Sequence, residues 1–343
     1  MHSGHLAVQD LRWALDHFHS AREVLDREAD KMPRGLVYCG LAMAYLDRLE
    51  LDDAVSWAQQ AIDLGESRQF PAVAANAYAP LGSAVALGDA TAGRESLEQA
   101  WQIASQSRLG FQADLARAHG ARTIGVSLKD PKAGLDWVER GPDNYTTYSL
   151  FDIPSHLVAL HALKGQFDKA SQIVEELQRR LRLLSQPLFG LWPDELGMLW
   201  IRMGEWTKAE ALLMEAFDWA VAGENRMAEV SVAQKLGELF LALGKFDEAE
   251  RYLFHVRDQV NGIGSSLHQL SLLPHLCELY LRTSRLQTAI EYLRSVDEMI
   301  DSSPDWGGLN GDRHLAHGLV AAASGSQDEA ERAFADASCL RVL

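Results

Sequence analysis

Histidine and carboxylate pairs are the first places to look for chemistry in this chain. His314 and His317 stand three apart in "HLAH", which puts both rings on one side of a helix, and Asp312 is close in sequence. A zinc site needs three or four ligands at matching spacing. His17 and His19 in "HFH" fall on different helix faces, and His268 and His275 are two helical turns apart. None of the twelve histidines joins such a ligand set, so they read as surface or packed side chains. "ELDDA", Glu50 to Ala54, looks like an acidic metal motif, but it lies at a turn and helix start. Carboxylates there suit the positive end of the helix dipole. The chain has no GxxxxGK[ST], no GxSxG, no HExxH and no GxGxxG before a strand. A helical glycosidase would need paired carboxylates in a cleft, and the regular repeat described below argues against one. These residues predict no catalytic site, no cofactor and no metal, and hence not an enzyme.

Composition narrows the classes further. The chain has 343 residues, 47% of them hydrophobic and 23% charged, which supports a continuous core. Its formal net charge of -16 repels phosphate backbones, so direct nucleic-acid binding by this region is not expected. Cys39, Cys277 and Cys339 are far apart and show no CxxC spacing, so they read as small buried hydrophobes. Met1 to Asp10 has neither the basic nor the apolar part of a signal peptide, and no apolar run approaches ~20 residues. The expectation is a cytoplasmic protein with no membrane contact.

The elements that must position any site are set by a repeat. "LGKFDEAERYL" (Leu243 to Leu253), "MGEWTKAEALL" (Met203 to Leu213) and "KGQFDKASQIV" (Lys164 to Val174) share one shape. Small anchor residues recur at Ala54, Gly93, Ala133, Ala170, Ala209, Ala249, Ala289 and Ala330, at intervals of 37 to 41, with Ala14 one step earlier. Each unit reads as two helices, because apolar residues recur three and four apart in both halves. In the sixth unit helix A is expected over about Glu229 to Leu243 and helix B over about Phe246 to Asn261. Gly244 ends helix A, where a left-handed residue is needed. Gly237 and Ala249 let the two helices approach, and Phe240 and Phe246 fill the space around the crossing. One hairpin cannot bury its own face, and its neighbours complete the core.

This pattern resembles the tetratricopeptide repeat family. The sixth unit carries Leu236-Gly237, Phe240, Gly244, Phe246, Ala249 and Leu253, and the fifth carries Leu196-Gly197, Trp200, Gly204, Trp206, Ala209 and Leu213. The first, fourth and seventh units follow with Leu41, Tyr45 and Ala54, with Leu157, Gly165, Phe167 and Ala170, and with Leu276, Tyr280, Ala289 and Leu293. The second, third and eighth are weaker: Gly93 replaces the alanine, and Asp130 and Gln327 replace the aromatic. The resemblance implies an all-α fold, a right-handed superhelical solenoid of antiparallel helix hairpins. Residues 1–343 form one such solenoid, with 1–32 a partial first repeat (a lone helix B) and 33–343 eight further repeats. Units near 39 residues exceed the usual 34. The long form is similar to sensor regions of the maltose-regulator type of STAND ATPase, LuxR-type regulators and multidomain cyclases. That implies a piece of a longer bacterial signalling or transcription-regulating protein.

Such a stack builds a groove lined by helix A. Its expected polar lining is His119, Arg122, Asp194, Arg202, Gln234, Glu238, His275, Glu278 and Arg282. Peptide clamps of the chaperone-binding type use Lys and Asn there, and this chain shows Glu and Gln. Two segments break the regularity. "GPDNYTTYSLFDIP" (Gly141 to Pro154) follows a short third helix B, and "SQPLFGLWPDE" (Ser185 to Glu195) brings Phe189 and Trp192 between prolines. Aromatics in loops either cap helix ends or form a recognition surface. "SSPDWGGLNGD" (Ser302 to Asp312) reads as a flexible, turn-rich loop. The function expected is a non-catalytic module that binds a protein, a peptide or a small effector, with Arg122, Phe189, Trp192, Asp194, Arg202, Gln234, Glu238, Glu278 and Arg282 as partner-binding residues. The alternative is an assembly scaffold that self-associates through the solenoid ends.

Overall fold

Seventeen α-helices and two short π-helical segments make up the regular structure of the described residues, which include no strand. The computed structural model describes residues 11–28, 31–141, 146–183, 192–300 and 305–342, the side chains of 299 and 339–342 excepted. A lone helix, α1 (Leu11–Leu25), precedes the first hairpin, α2 (Met32–Asp47) with α3 (Leu51–Ser67). The second is α4 (Pro71–Val85) with α5 (Ala90–Gln106). In the third, α6 (Gly110–Gly120) runs into a π-helical turn, Ala121–Ser127, and then α7 (Pro131–Glu139). A second π-helical turn, Tyr148–Asp152, leads into the fourth hairpin, α8 (Ile153–Leu163) with α9 (Phe167–Leu183). The fifth is α10 (Pro193–Arg202) with α11 (Trp206–Ala222), and the sixth α12 (Arg226–Ala242) with α13 (Phe246–Asn261). The seventh is α14 (Ser266–Arg282) with α15 (Leu286–Ile300), and the eighth α16 (Leu309–Ala323) with α17 (Gln327–Val342). The chain is an all-α helical repeat solenoid.

The sixth hairpin shows why the sequence folds this way. Helix α13 spans the residues expected, and α12 begins three residues earlier than expected, because Asn225 caps it by accepting from the Ala228 amide at 2.9 Å. Gly244 takes φ +71° at the turn. A methyl group on Gly237 would collide with Leu253, so the crossing needs glycine. Phe240 stacks on Tyr252 with ring centres 5.7 Å apart, beside the fully buried Ala249.

The third hairpin departs from the expected register. Its anchor is Gly134, not Ala133: Gly134 is buried and Ala133 is not. A Cβ on Gly134 would lie 2.6 Å from the Gly125 Cα, so two glycines let the backbones touch. The turn confirms the shift. In every other hairpin but the second a left-handed residue stands five before the anchor, as at Gly204, Gly244, Leu49 and Ser284. In the third it is Lys129, at φ +53°. The expected loop around Tyr148 and Phe151 is the second π-helical turn, and Tyr148 packs edge-on to Phe111. The Ser302 to Asp312 segment also differs from expectation: Trp306 is buried, and α16 begins at Leu309. Trp306 shares a core with Leu128, which holds that part of the segment down.

The stack curls until the first three hairpins meet the sixth, seventh and eighth. The Leu11 amide, before the first hairpin, donates to the Gly223 carbonyl before the sixth, at 3.2 Å. Leu87 in the second accepts from the Leu267 amide at the start of the seventh, at 3.0 Å. Lys129 in the third pairs with the fully buried Asp312 in the eighth. One hydrophobic cluster joins Leu46, Leu87 and Leu128 to residues of the fifth to eighth hairpins. The A helices of the first three hairpins therefore face those of the sixth to eighth across the superhelix axis.

Candidate functional site

Five hairpins converge on Arg122. Its Nη1 donates to the buried Glu195 at 2.6 Å and its Nη2 to Asp194 at 3.0 Å, both at the start of α10. The guanidinium lies 3.9 Å from the centre of the Trp192 ring. His156 of α8 places Nδ1 2.8 Å from Glu195 Oε1, and Trp192 Nε1 donates to Asp152 at 3.1 Å. Arg122 stays cationic: burial opposes its charge, and Asp194 and Glu195 outweigh that effect. Asp47 and His268, from the first and seventh hairpins, are also within electrostatic reach of the guanidinium.

Asp47 is distinct within this group. It ends α2, is half-buried, and makes no hydrogen bond or ion pair among the described residues. Burial pushes its carboxyl up to about 7, with Arg122 pulling the other way. Burial also lowers His119 to about 4, helped by the charge of His156. His119 Nδ1 lies 2.8 Å from Ser83 Oγ, which in turn is 2.9 Å from Thr123 Oγ1. Asp194 and Glu195 thus pair with the guanidinium, while Asp152 accepts from Trp192 and Asp47 reaches the guanidinium only through space. The inner surface at this level carries an excess of negative charge, suited to a cation.

The other expected residues divide between a second cluster and isolated positions. Glu238 accepts from Lys235 at 2.8 Å and lies 4.0 Å from His275. Burial raises the Glu238 pKa, but Lys235 outweighs it and holds the carboxyl below its usual range. Burial drops His275 to about 4. Gln234 is buried and donates to the Ser271 carbonyl at 3.0 Å. Glu278 and Arg282 pair with each other at 3.4 Å on α14. Arg202 is exposed at the end of α10 and has no partner among the described residues. Phe189 lies outside the described residues.

Sequence reasoning missed Asp47, Asp152, His156 and Glu195. The last two are hidden behind repeat positions that usually pack, and Asp47 ends a helix A, where the repeat pattern marks nothing. Among the described residues no group of three His, Cys, Asp or Glu is placed to hold a metal. Burial pushes the thiols of Cys39 and Cys277 up to about 12, so neither is an activated nucleophile. No described helix is long and apolar enough to cross a membrane.

No curated protein matches the chain in sequence. Residues 192–258 match the family model of the tetratricopeptide repeat, a repeat that generally mediates protein–protein interaction, and this stretch therefore carries repeats of that family.

Proposed function

We propose that the chain is a non-catalytic module that binds a protein or peptide segment through its inner surface, with a basic side chain of the partner seated at Asp47. The observation that carries this reading is the unpaired Asp47 carboxyl beside a guanidinium already engaged by two other carboxylates. A lysine or arginine of the partner would supply the missing counter-charge, and the net charge of -16 would draw it in. Trp192, Asp194 and Arg122 hold the wall of that site, and Gln234 and Glu238 line its continuation. On this reading Arg202, Glu278 and Arg282 contribute at the periphery, and Phe189 is a further contact residue. The whole chain acts as one solenoid within a larger bacterial signalling or regulatory protein in the cytoplasm. A small cationic effector would use the same carboxyl.

Fluorescent twelve-residue peptides matched in length, with lysine and arginine kept or changed to glutamine, test this by anisotropy. The basic set is expected to bind saturably and the neutral set about tenfold or more weaker. Equal binding of the two sets contradicts the proposal. The second reading, an assembly scaffold, rests on the exposed Trp13 and Val24 of the lone α1. Sedimentation that shows a monomer at all concentrations counts against it.

A further inference from the structure

Among the described residues the third hairpin lacks the second half of its helix B, and a groove lies on the outer side of the fourth. Helices α3, α5, α9 and α11 each have seventeen residues, whereas α7 has nine. Because α7 starts in register, what it lacks is its second half, roughly two turns or about 12 Å of helix. Elsewhere the second half of helix B covers the first half of the next helix A: a Cβ on Gly65 of α3 would lie 2.8 Å from the Ala74 amide of α4. Residues sixteen and thirteen before the anchor are buried in the second, sixth and seventh hairpins, as Ala77 and Pro80, Ala233 and Leu236, and Leu273 and Leu276. In the fourth hairpin the same positions are Pro154 and Leu157, and both remain partly exposed, as do His314 and His317 in the eighth, which follows the fifteen-residue α15.

Pro154 and Leu157, with His161, Ile173 and Leu177, line a largely apolar groove of about 520 Å³ between α8 and α9. Its polar rim carries Lys169 and Arg180 against Glu176. Arg180 already donates to Glu176 at 2.8 Å and to the Leu150 carbonyl at 2.7 Å. Lys169 is exposed and has no partner among the described residues. The rim is therefore cationic on a chain whose net charge is -16. Screening over about 8–10 Å lets this local charge act separately from the rest.

We infer that this groove receives a helix of about two turns from a partner protein, which takes the place of the absent half of α7. The partner helix is amphipathic, with apolar side chains three and four apart over Leu157 and Ile173 and a carboxylate at Lys169. The site is on the helix-B side of the solenoid and does not depend on the inner surface around Asp47.

The probe is a stapled, fluorescein-labelled peptide of the chain's own Leu212–Ala222, the second half of α11. It presents the face that a full-length helix B offers and carries Glu215 and Asp218. Titrated with the whole protein, it is expected to bind saturably, and a scrambled peptide is not. Lys169→Glu, an exposed change that leaves the fold intact, is expected to weaken it about fivefold or more, and Leu157→Gln about tenfold or more. Asp47→Asn is expected to leave this binding unchanged, which separates it from the inner-surface reading. Absence of saturable binding, or binding untouched by Lys169→Glu, overturns the inference.

Discussion

Arg122 and Glu195 are 73 residues apart in sequence, and their side chains meet at 2.6 Å in the interior of the superhelix. The contact skips a hairpin, since Arg122 follows α6 and Glu195 belongs to α10. It ties the third hairpin to the fifth and brings Asp194, Trp192 and His156 into the same network.

Removing Arg122 should therefore be costly. Arg122→Ala leaves Glu195 and Asp194 without their cation in a buried place, and a loss of about 3–5 kcal/mol is expected. Arg122→Lys should recover only part of this, because an ammonium cannot serve two carboxylates and an indole face in one plane. Urea unfolding followed by circular dichroism measures both. An Arg122→Ala midpoint equal to wild type contradicts the network.

Acid should loosen the protein before ordinary carboxylates titrate. His119, His268 and His275 are lowered to about 4 from 6.5, chiefly by burial. A depressed histidine binds fewer protons folded than unfolded. Its neutral form thus contributes stability that is complete above pH 6.5 and is lost as pH falls toward 4. His268 is almost fully buried, and its share is on the order of 3 kcal/mol. The urea midpoint should fall between pH 6.5 and 4, and His268→Gln should flatten that slope. A midpoint constant over this range sinks the assignment.

The repeat itself was legible in the sequence because local chemistry repeats with it. Gly237, Gly244, Phe246 and Ala249 each have a physical reason to stand where they do, and the sixth hairpin follows them. The third hairpin slipped by one residue because Ala133 and Gly134 are both small, and only the approach to Gly125 distinguishes them. Trp306 looked like part of a flexible loop because its partner, Leu128, lies far back in the chain. The closure of hairpin on hairpin has no local signal, since it joins Leu87 to Leu267 through backbone groups that every residue carries. The same is true of the site. Arg122 and Asp194 could be placed on the inner side by counting from the anchors, and Trp192 stood out as an aromatic between prolines. Asp47 belongs to them only once the solenoid has curled.

The left-handed turn position offers a check on the register. Ser284 stands five residues before Ala289, takes φ +58° and is exposed. Ser284→Gly should relieve backbone strain and raise stability by about 0.5–1 kcal/mol. Changing Gly244 to serine at the equivalent place should lower it by a similar amount. Paired thermal melts decide this, and the same sign for both substitutions is inconsistent with the register.

The inner-surface proposal rests most directly on Asp47. Its folded carboxyl is raised to about 7 from 3.8, so its ionisation opposes folding increasingly as pH rises from 4 through 7. Asp47→Asn should therefore melt higher than wild type at pH 8, by on the order of 1–3 kcal/mol, and the same at pH 4. A bound cation favours the ionised form, so wild type should bind the best basic peptide more tightly at pH 8 than at pH 6. The decisive measurement is calorimetric titration of that peptide into both proteins at pH 8. The account predicts that Asp47→Asn, although the more stable protein, binds about tenfold or more weakly; an affinity equal to wild type in the folded variant would contradict it.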